Sequence, residues 1–589
     1  MKKIEVPVLI IGGGGSGLSS TIFLARHGIK SLVIEKYPSV TPLPKAHYLN
    51  PRTMEIFREV GISDEIYARG TPPENMSTVG WYTSLAGEGH LDARTIHTMD
   101  AFGGGALKDK YLESTPCWCA NFAQMYLEPL LYETASKNDL STLNFGHEMV
   151  EFEQVDGGVL ATIEERSSGE RYQVSARYML ACDGGRHIGP SLGVKMEGIE
   201  RIIDMVTVHF EADLSAFIHD DKPMIRWFSN PEGGGSWRSG VMVAMGPKRY
   251  DRHSESWLMH FAFDPGKAQT HNYELLTEKI IALLKVPSRT PITIKRTNEW
   301  KIQGVLAETF RKGSVFLVGD AAHRHPPTTG LGLNSAIQDA HNLAWKLASV
   351  LKGTASDKLL DSYEQERRAV TGRNVEWALL TFQNQLVVDA AIGLIHGAPT
   401  EVNILAYEKL FSDTPHGRAR RKLVEEIVGT QKIEFQALNM EIGFSYESTA
   451  ILPDGTPKPD MSPMEDEYVA TTRPGHRLAH AWLERSGSRL STLDLVDGTH
   501  FTLIVDEDGD HWRGMLDGTE GLVNVVQISA AGTLVDAEGR WSEVKGIGPR
   551  GAILVRPDGH VAWRSIEGES PAGLGIGGVI GKILGHVAV

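Results

Sequence analysis

The stretch Val6-Pro-Val-Leu-Ile-Ile-Gly-Gly-Gly-Gly-Ser-Gly17 joins an apolar run directly to a cluster of glycines. The unbroken apolarity of Val6 to Ile11 predicts a parallel β-strand that is buried on both faces. Gly12, Gly14 and Gly17 fit the pattern GxGxxG, and apolar residues then recur at helical spacing. A strand, a glycine turn and a helix in this order predict the first unit of a doubly wound α/β domain.

This unit has the features of a dinucleotide site. Its glycines allow a tight turn, a close approach of the backbone to a pyrophosphate, and close packing of the helix on the strand. The helix N-terminus adds free N–H groups and the positive end of the helix dipole. A second apolar strand ends in an acid about 20 residues further on, where a carboxylate can accept hydrogen bonds from a ribose. The residues predicted to contact the dinucleotide here are Gly12, Gly14, Gly15, Ser16, Gly17, Glu35 and Lys36.

Length and charge limit the possible functions. A chain of 589 residues is long enough for two to four domains. The formal net charge is −15, and no block of Lys and Arg could neutralise a run of phosphates, so nucleic acid is a poor candidate partner. No stretch of about 20 apolar residues predicts a membrane span, and we expect a cytoplasmic protein.

The cysteines and histidines predict no metal site. Cys117, Cys119 and Cys182 lack metal-ligand spacing and contain no CxxC pair, which is typical of a reducing compartment. His323 and His325 lie close together, but without carboxylate partners they make a poor metal site. We expect these residues to be buried thiols and packing or loop histidines.

Long motifs elsewhere carry a family resemblance. An apolar strand leads into Asp183-Gly-Gly-Arg186, and another ends in Gly319-Asp-Ala-Ala-His-Arg-His-Pro-Pro327. Pro44-Lys-Ala-His-Tyr-Leu-Asn-Pro-Arg-Thr-Met-Glu-Ile-Phe57, Gly330-Leu-Gly-Leu-Asn-Ser335 and Gln338-Asp-Ala-His-Asn-Leu-Ala-Trp-Lys346 add to the pattern. With these strings the chain resembles the class A flavoprotein aromatic hydroxylases, and most closely the phenol hydroxylase branch that acts on phenol, 2,4-dichlorophenol and 2-hydroxybiphenyl.

The resemblance implies an α/β fold with three parts. A Rossmann-type FAD-binding domain of the p-hydroxybenzoate hydroxylase type is expected from residues 1–80, 110–185 and 300–380. A mixed-sheet substrate domain is expected from 81–109 and 186–299, and a helical segment from 381–450. Residues 451–589 are similar to the thioredoxin-like C-terminal domain of phenol hydroxylases but contain no cysteine, which excludes redox exchange.

The same resemblance implies cofactor residues beyond the first unit. Asp320 is expected to bind ribityl hydroxyls of FAD, and the helix start after Pro326 to direct N–H groups at the flavin O2/N1 edge. Asp183 is less typical because His187 occupies the usual serine position of its motif. The complete expected set outside the first unit is Lys45, Arg52, Gln124, Asp183, Gly319, Asp320, Pro326, Gly330, Gly332, Leu333 and Asn334.

The implied reaction is hydroxylation of a phenolic or similar electron-rich (hetero)aromatic ring, ortho to a hydroxyl. NADPH or NADH would dock transiently and reduce the flavin, and O2 would form a C4a-hydroperoxide that the ring attacks. Because a phenol has a pKa near 10, a base must help at neutral pH, and His47 is the candidate.

The substrate pocket is expected in the middle of the chain. Asn121 stands where close relatives place an acid. Trp227, Phe228, Trp237 and Phe261 are the candidates for aromatic walls, although we expect most of them to be core residues. Small aromatic substrate and further copies of the chain are the expected partners. A flavin oxidase, reductase or halogenase stays open as the alternative, and so does a non-enzymatic FAD-dependent scaffold. The Trp-x-Trp-x-Ile-Pro segment of tryptophan halogenases is absent from the sequence.

Overall fold

A computed structural model describes residues 2–232, 235, 240–263, 272–570 and 574–586. Trp237, expected in the pocket wall, lies outside this set. Within the described part, no helix is long and apolar enough to cross a membrane.

The chain begins as a β-α-β unit, continues as a mixture of strand runs and helices up to residue 324, and then has mostly helices up to residue 442 before the strands of the C-terminal domain. The strands up to residue 324 are β1 (Lys2–Ile11), β2 (Ser31–Glu35), β3 (Tyr48–Leu49), β4 (Thr78–Tyr82), β5 (Thr95–Asp100), β6 (Ala120–Asn121), β7 (Ser141–Phe145), β8 (His147–Val155), β9 (Gly158–Glu165), β10 (Arg171–Ala181), β11 (Met196–Glu211), β12 (Pro223–Phe228), β13 (Gly240–Ala244), β14 (Ser256–Phe263), β15 (Thr293–Ala307), β16 (Arg311–Lys312), β17 (Val315–Leu317) and β18 (His323–Arg324). The later strands are β19 (Trp482–Arg485), β20 (Ser488–Ser491), β21 (Phe501–Val505), β22 (Val523–Gln527), β23 (Leu534–Val535), β24 (Ala552–Val555) and β25 (Val561–Ser565).

The described α-helices cover the sheets. They are α1 (Gly15–Arg26), α2 (Pro51–Glu59), α3 (Ser63–Arg69), α4 (Lys108–Ser114), α5 (Gln124–Ser136), α6 (Ile188–Ser191), α7 (Tyr273–Leu284), α8 (Leu331–Leu351), α9 (Asp361–Ile392), α10 (Thr400–Phe411), α11 (Pro415–Val428), α12 (Lys432–Phe435), α13 (Leu438–Ile442), α14 (Arg540–Val544) and α15 (Ile576–Ile583).

The first sheet has the strand order β16-β17-β10-β1-β2-β7. β1 runs parallel to β2 on one side and to β10 on the other, and β10 is parallel to β17. The apolar end of β1, Val8 to Ile11, is buried on both faces as its composition predicts. The carboxyl ends of β1, β2, β10 and β17 therefore meet at one edge of the sheet, where the glycine turn and the motifs at 183 and 319 follow them.

The second sheet has the order β18-β15-β11-β14-β13-β12-β4-β5 and is antiparallel except for the β12–β4 pair. Side chains alternate along β14, so Trp257, Met259 and Phe261 enter the core beneath α7, while Leu258 faces the opposite way. Phe228 also lies in the core beneath α7. Phe228 and Phe261 are therefore core residues and not pocket walls, because strand alternation turns both away from the FAD-binding domain.

The C-terminal domain has a four-stranded sheet of order β22-β21-β24-β25. β21 and β22 are parallel, and β24 is antiparallel to both β21 and β25, as in a thioredoxin-like core. Phe501, Leu503 and Val505 belong to the same apolar core as β1, whereas Ile504 faces a second core inside the C-terminal domain. One face of this sheet thus packs directly on the FAD-binding domain.

The predicted domain limits need adjustment. The limits near residues 80 and 300 fall inside β4 and β15 of the second sheet, and the limit near 380 falls inside α9. Splitting a strand or helix between domains would separate hydrogen-bonded neighbours. We therefore propose limits that keep β4 and β15 with the second sheet and leave α9 whole.

Candidate functional site: an FAD cleft facing a substrate sheet

The glycine turn after β1 is shaped by close backbone contacts. Gly12 has φ +112°, and a Cβ there would overlap the carbonyl oxygen of Cys182 at the end of β10. A Cβ on Gly17 would overlap the carbonyl oxygen of Gly12. Only glycine fits at these two positions, and the resulting turn leads straight into the N-terminus of α1.

Glu35 ends β2 beside this turn. Its carboxylate accepts a hydrogen bond from Gly13 N at 2.7 Å and another from Tyr37 N at 2.9 Å. Lys36 follows, partly exposed. The carboxylate is thereby held at the sheet edge, where its remaining lone pairs can receive ribose hydroxyls.

A second helix N-terminus meets the first. Gly319 lies against Ser16, and the side chain of Leu333 lies over Gly15, so the starts of α1 and α8 are neighbours. Both helices begin after a glycine, Gly14 and Gly330, so neither N-cap residue has a side chain that could cap the free N–H groups, although the Glu128 carboxylate accepts from Gly15 N at the start of α1. Two positive helix ends therefore converge on one cleft.

Asp320 lies in this cleft with an exposed side chain. The preceding Gly319 N–H donates to Asp339 Oδ2 at 3.1 Å, and Asp339 also pairs with His323 at 2.7 Å and with Arg367 at 2.7 Å. All three side chains of this network are fully buried. Asp339 was not predicted from sequence, although it lies in a motif string, and it fixes the loop that presents Asp320.

The side chain of Asn334 makes its hydrogen bonds within the protein. Its Nδ2 donates to Tyr48 O at 3.0 Å and to Gly330 O at 2.6 Å, and its Oδ1 accepts from Asn50 N at 2.9 Å. The side chain thus joins the start of α8 to β3, and only the backbone N–H groups of this turn remain for a cofactor.

The rest of this segment is closely packed. Pro326 is buried, and Gly332 approaches His325. A Cβ on Gly330, which has φ +66°, would meet the ring of Tyr48. The loop between β18 and α8 is therefore held against β3, next to the cleft.

Gln124 begins α5 at the edge of the cleft. Its Nε2 donates to Glu128 Oε1 at 2.6 Å, while Thr41 N donates to Glu128 Oε2 at 2.9 Å. Burial raises the pKa of Glu128, and the exposed Lys45 is one of the groups that counteract this. Glu128 was not predicted from sequence, although its position four residues after Gln124 places both on one helical face.

Two predicted cofactor residues have other partners. Arg52 is 5% exposed and donates to Glu55 at 2.9 Å and to the carbonyl of Asp558 at 2.7 Å. The expectation that Arg52 contacts phosphate or flavin is wrong, because both terminal nitrogens of its buried guanidinium already donate, one to Glu55 and one to Asp558 of the C-terminal domain. The Asp183 carboxylate accepts from Gly185 N, His187 N and Ile188 N, and so caps α6.

His47 lies between the cleft and the second sheet. Its Nδ1 is 2.7 Å from Asn121 Oδ1, and Asn121 Nδ2 donates to Thr71 Oγ1 at 2.7 Å. Burial lowers the pKa of His47, and the hydrogen bond that its ring donates to Asn121 offsets this only in part. The imidazole is therefore neutral at physiological pH, with Nδ1–H directed to the amide oxygen and Nε2 left as an acceptor.

The sheet face opposite His47 carries Trp227 and His260. Trp227 belongs to a buried cluster with Trp81, Val243 and Leu258. His260 lies one strand over from Val241, and its pKa is lowered to about 3 by burial and by neighbouring His47. His260 was not predicted from sequence, because one histidine in a strand carries no recognisable pattern.

The cleft fits FAD. Two helix N-termini that follow glycines suit a pyrophosphate and the electron-rich edge of a flavin, and the glycines leave the space that side chains would fill. Glu35 and Asp320 supply carboxylates for the two alcohol-bearing parts of the cofactor. Among the described residues, no group of three or more His, Cys, Asp and Glu side chains could hold a metal ion.

The geometry defines a flavoprotein with a separate substrate sheet, and comparison with known proteins gives its family. Residues 5–378 match the family model described as FAD binding domain, and residues 471–586 match that of the aromatic-ring hydroxylase C-terminal domain. The chain belongs to the FAD-dependent aromatic-ring hydroxylases.

Individual relatives cover nearly the whole chain. The 2,4-dichlorophenol 6-monooxygenase of Delftia acidovorans is 31% identical, over 97% of this chain and 96% of its own. The flavin-dependent monooxygenase PieE, solved with FAD and substrate, superposes with a TM-score of 0.92 at 34% identity, covering 99% of this chain and 100% of its own. Aklavinone-11 hydroxylase, solved with FAD and aklavinone, gives 0.79 at 30% identity, with the same coverage.

These findings confirm the predicted fold class, family and cofactor. The protein is an FAD-dependent aromatic-ring monooxygenase that consumes NAD(P)H and O2. They favour neither the oxidase, reductase or halogenase alternative nor a non-enzymatic scaffold.

Proposed function

We propose that the enzyme hydroxylates a phenolic ring ortho to its hydroxyl, and that His47 accepts the phenol proton. One observation carries this proposal: the 2.7 Å contact from His47 Nδ1 to Asn121 Oδ1, which leaves Nε2 as an acceptor beside the substrate sheet. The relative named for a dichlorophenol supports a phenolic substrate.

Proton removal explains why a base is needed. A phenol with a pKa near 10 is almost entirely protonated at neutral pH, and its ring becomes a far better nucleophile as the phenolate. Since burial lowers the pKa of His47, the ring is neutral and able to accept this proton. Asn121 would orient the imidazole and would itself contact the substrate only indirectly.

We further propose a division of labour in the cleft. The N-terminus of α1 would hold the pyrophosphate, Glu35 the adenosine ribose, and Asp320 the ribityl chain. The start of α8 would stabilise negative charge at the flavin O2/N1 edge. FAD, when bound, supplies the redox chemistry, since it takes up electrons from NAD(P)H and activates O2. The protein positions the phenol ring and controls the proton of its hydroxyl.

The test compares His47→Ala with wild type and with His253→Ala, a control at an exposed histidine. NAD(P)H consumption, peroxide release and hydroxylated product are measured with phenols of different pKa. We expect His47→Ala to retain FAD and to lose about 10²–10⁴-fold in coupled hydroxylation, most for phenols of high pKa. NAD(P)H oxidation that no phenol accelerates and that yields only peroxide, in wild type, would rule out the proposed function.

Self-association and a cytoplasmic location stay predictions. The helical segment exposes Leu386, Ile395 and Leu405, each more than half accessible, which supports a homo-oligomer. Sedimentation analysis of the holoenzyme would distinguish a monomer from an oligomer.

A further inference from the structure

His260 is held by a chain of hydrogen bonds inside the substrate sheet. Trp300 Nε1 donates to Thr207 Oγ1 at 2.8 Å, and Thr207 Oγ1 is 2.8 Å from His260 Nδ1. Indole N–H is only a donor, so Thr207 accepts from Trp300. Among the described residues the Thr207 hydroxyl has no other acceptor than His260 Nδ1.

This chain decides which ring nitrogen of His260 carries the proton. If Thr207 donates to Nδ1, the neutral ring must be protonated at Nε2. The ring is neutral at physiological pH because burial and His47 lower its pKa to about 3. No group in the described part of the chain accepts from this Nε2–H, so His260 retains one unused donor.

His47 has the complementary arrangement. Its Nδ1–H donates to Asn121 Oδ1, and its Nε2 keeps an unused lone pair. The two histidines come from different domains, one preceding β3 and the other on β14, and they are near enough for the charge of one to act on the other. Tyr48, which follows His47, and Leu258, which shares a face of β14 with His260, belong to one buried cluster, so one acceptor and one donor border the same contact between the FAD-binding domain and the substrate sheet.

We propose that His47 and His260 together recognise a substrate that carries two oxygen functions, an ionisable hydroxyl and a separate acceptor oxygen such as a ketone. His47 Nε2 accepts from the hydroxyl, while His260 Nε2–H donates to the acceptor oxygen. Thr207 and Trp300 are positioning residues that keep the proton of His260 on Nε2. This inference rests on the proposed function, because it assigns the substrate class of the same site.

The energetic consequence is discrimination against simple alkylphenols. A substrate without the acceptor oxygen leaves the His260 N–H desolvated and unpaired, which costs about 1–2 kcal/mol, or roughly tenfold in affinity. Sites that hydrogen-bond a substrate group reject analogues without that group more strongly than apolar walls do.

The experiment uses 2-hydroxyacetophenone and 2-ethylphenol, which have similar shape but differ in the ketone oxygen. Dissociation constants for the holoenzyme are measured from the flavin absorbance change, and turnover from NAD(P)H consumption with product analysis. We expect wild type to prefer the ketone about tenfold. His260→Phe should abolish the preference, and His260→Gln, whose amide N–H replaces Nε2–H, should restore part of it.

Variants of Thr207 test the positioning chain separately. Thr207→Ser keeps the hydroxyl and should retain the preference, whereas Thr207→Val should lose it with an unchanged FAD content. Equal preference in wild type and His260→Phe, or no preference in wild type, would overturn the inference while leaving phenol hydroxylation intact. If wild type hydroxylates no phenol at all, the proposed function fails and the inference fails with it.

Discussion

Two polar clusters of this molecule are built in opposite ways. Where α8 and α9 meet the C-terminal domain, Lys346, Glu366 and Arg556 are fully buried, and Glu366 pairs with Lys346 at 2.7 Å and with Arg556 at 2.6 Å. Arg556 also pairs with Asp558, and the backbone carbonyl of Asp558 accepts a hydrogen bond from Arg52. Between the FAD cleft and the substrate sheet, His47 and His260 are only partly buried, and each retains a ring nitrogen that no described residue engages.

The difference follows from the cost of leaving each kind of group unpaired. A buried charge without a partner costs several kcal/mol, so the interdomain cluster must be complete. A neutral imidazole with one open nitrogen costs only about 1–3 kcal/mol, and a bound substrate can remove that cost. Incomplete hydrogen bonding, more than polarity itself, thus separates the candidate site from the structural cluster.

Removing the central carboxylate should break the interdomain cluster with the largest effect. Glu366→Ala leaves the buried Lys346 without a carboxylate partner and Arg556 with Asp558 alone, and we expect the free energy of unfolding to fall by about 3–5 kcal/mol. Urea denaturation followed by circular dichroism measures this. Asp413→Ala is the control, because the Asp413–Arg418 pair is exposed and should contribute at most about 1 kcal/mol. Equal losses in both variants would show that the buried cluster stabilises the protein no more than an exposed ion pair does.

Low pH should break the ion pairs of Glu366 in the same interdomain cluster. Burial alone would raise the pKa of Glu366, but the charges of Arg556 and Lys346 outweigh it and lower the pKa to about 2. Its ordinary value is 4.5, so its stabilising contribution is present above pH 4.5 and is lost as the pH falls towards 2. In Glu366→Gln this part of the pH dependence of unfolding should disappear; an unchanged slope would exclude Glu366 as its source.

The FAD cleft could be predicted from sequence because its signals are local. GxGxxG, Glu35 and the Gly319-Asp320 motif each follow a strand directly, and parallel strands bring their carboxyl ends to one edge. Arg52 lies in an equally typical string, yet its partners are residues 3 and 506 positions away. Whether a conspicuous charge binds a ligand or another domain depends on tertiary contacts that a motif does not contain.

His260 and Asp339 were missed for related reasons. The position of the proton on the His260 ring depends on Thr207 and Trp300, which lie on two other strands. The register between these strands cannot be predicted from one sequence. Asp339 lies in a helix among apolar residues, and only the fold brings it to Gly319 and Arg367. The sequence does not decide whether Phe228 and Phe261 are core or pocket residues, because a one-residue shift reverses the face of a strand.

A substitution at Asp320 tests whether the FAD cleft uses its exposed carboxylate to bind the cofactor. Asp320→Ala removes an exposed carboxylate from the cleft, and we expect FAD affinity to fall about tenfold or more, with the stability of the apoprotein unchanged. Titration of apoprotein with FAD, followed by flavin fluorescence, measures the change. Asp139→Ala, at an exposed acid on the outer surface, should leave FAD affinity as it is. An Asp320 variant with wild-type affinity would remove this residue from the cofactor site.

The smallest expected effect concerns the partner of His47. Because burial lowers the pKa of His47 below 6.5, the acid limb of kcat/KM should lie below pH 6.5, and activity is lost only as His47 becomes protonated. The hydrogen bond that His47 donates to Asn121 raises this pKa, so Asn121→Leu should move the acid limb further down. Asn121→Asp places a carboxylate beside the ring and should move it up. Since a carboxylate can only accept, Asn121→Asp also keeps the proton of His47 on Nδ1, and activity above the limb should persist. Parallel shifts in both variants would show that another group sets the limb.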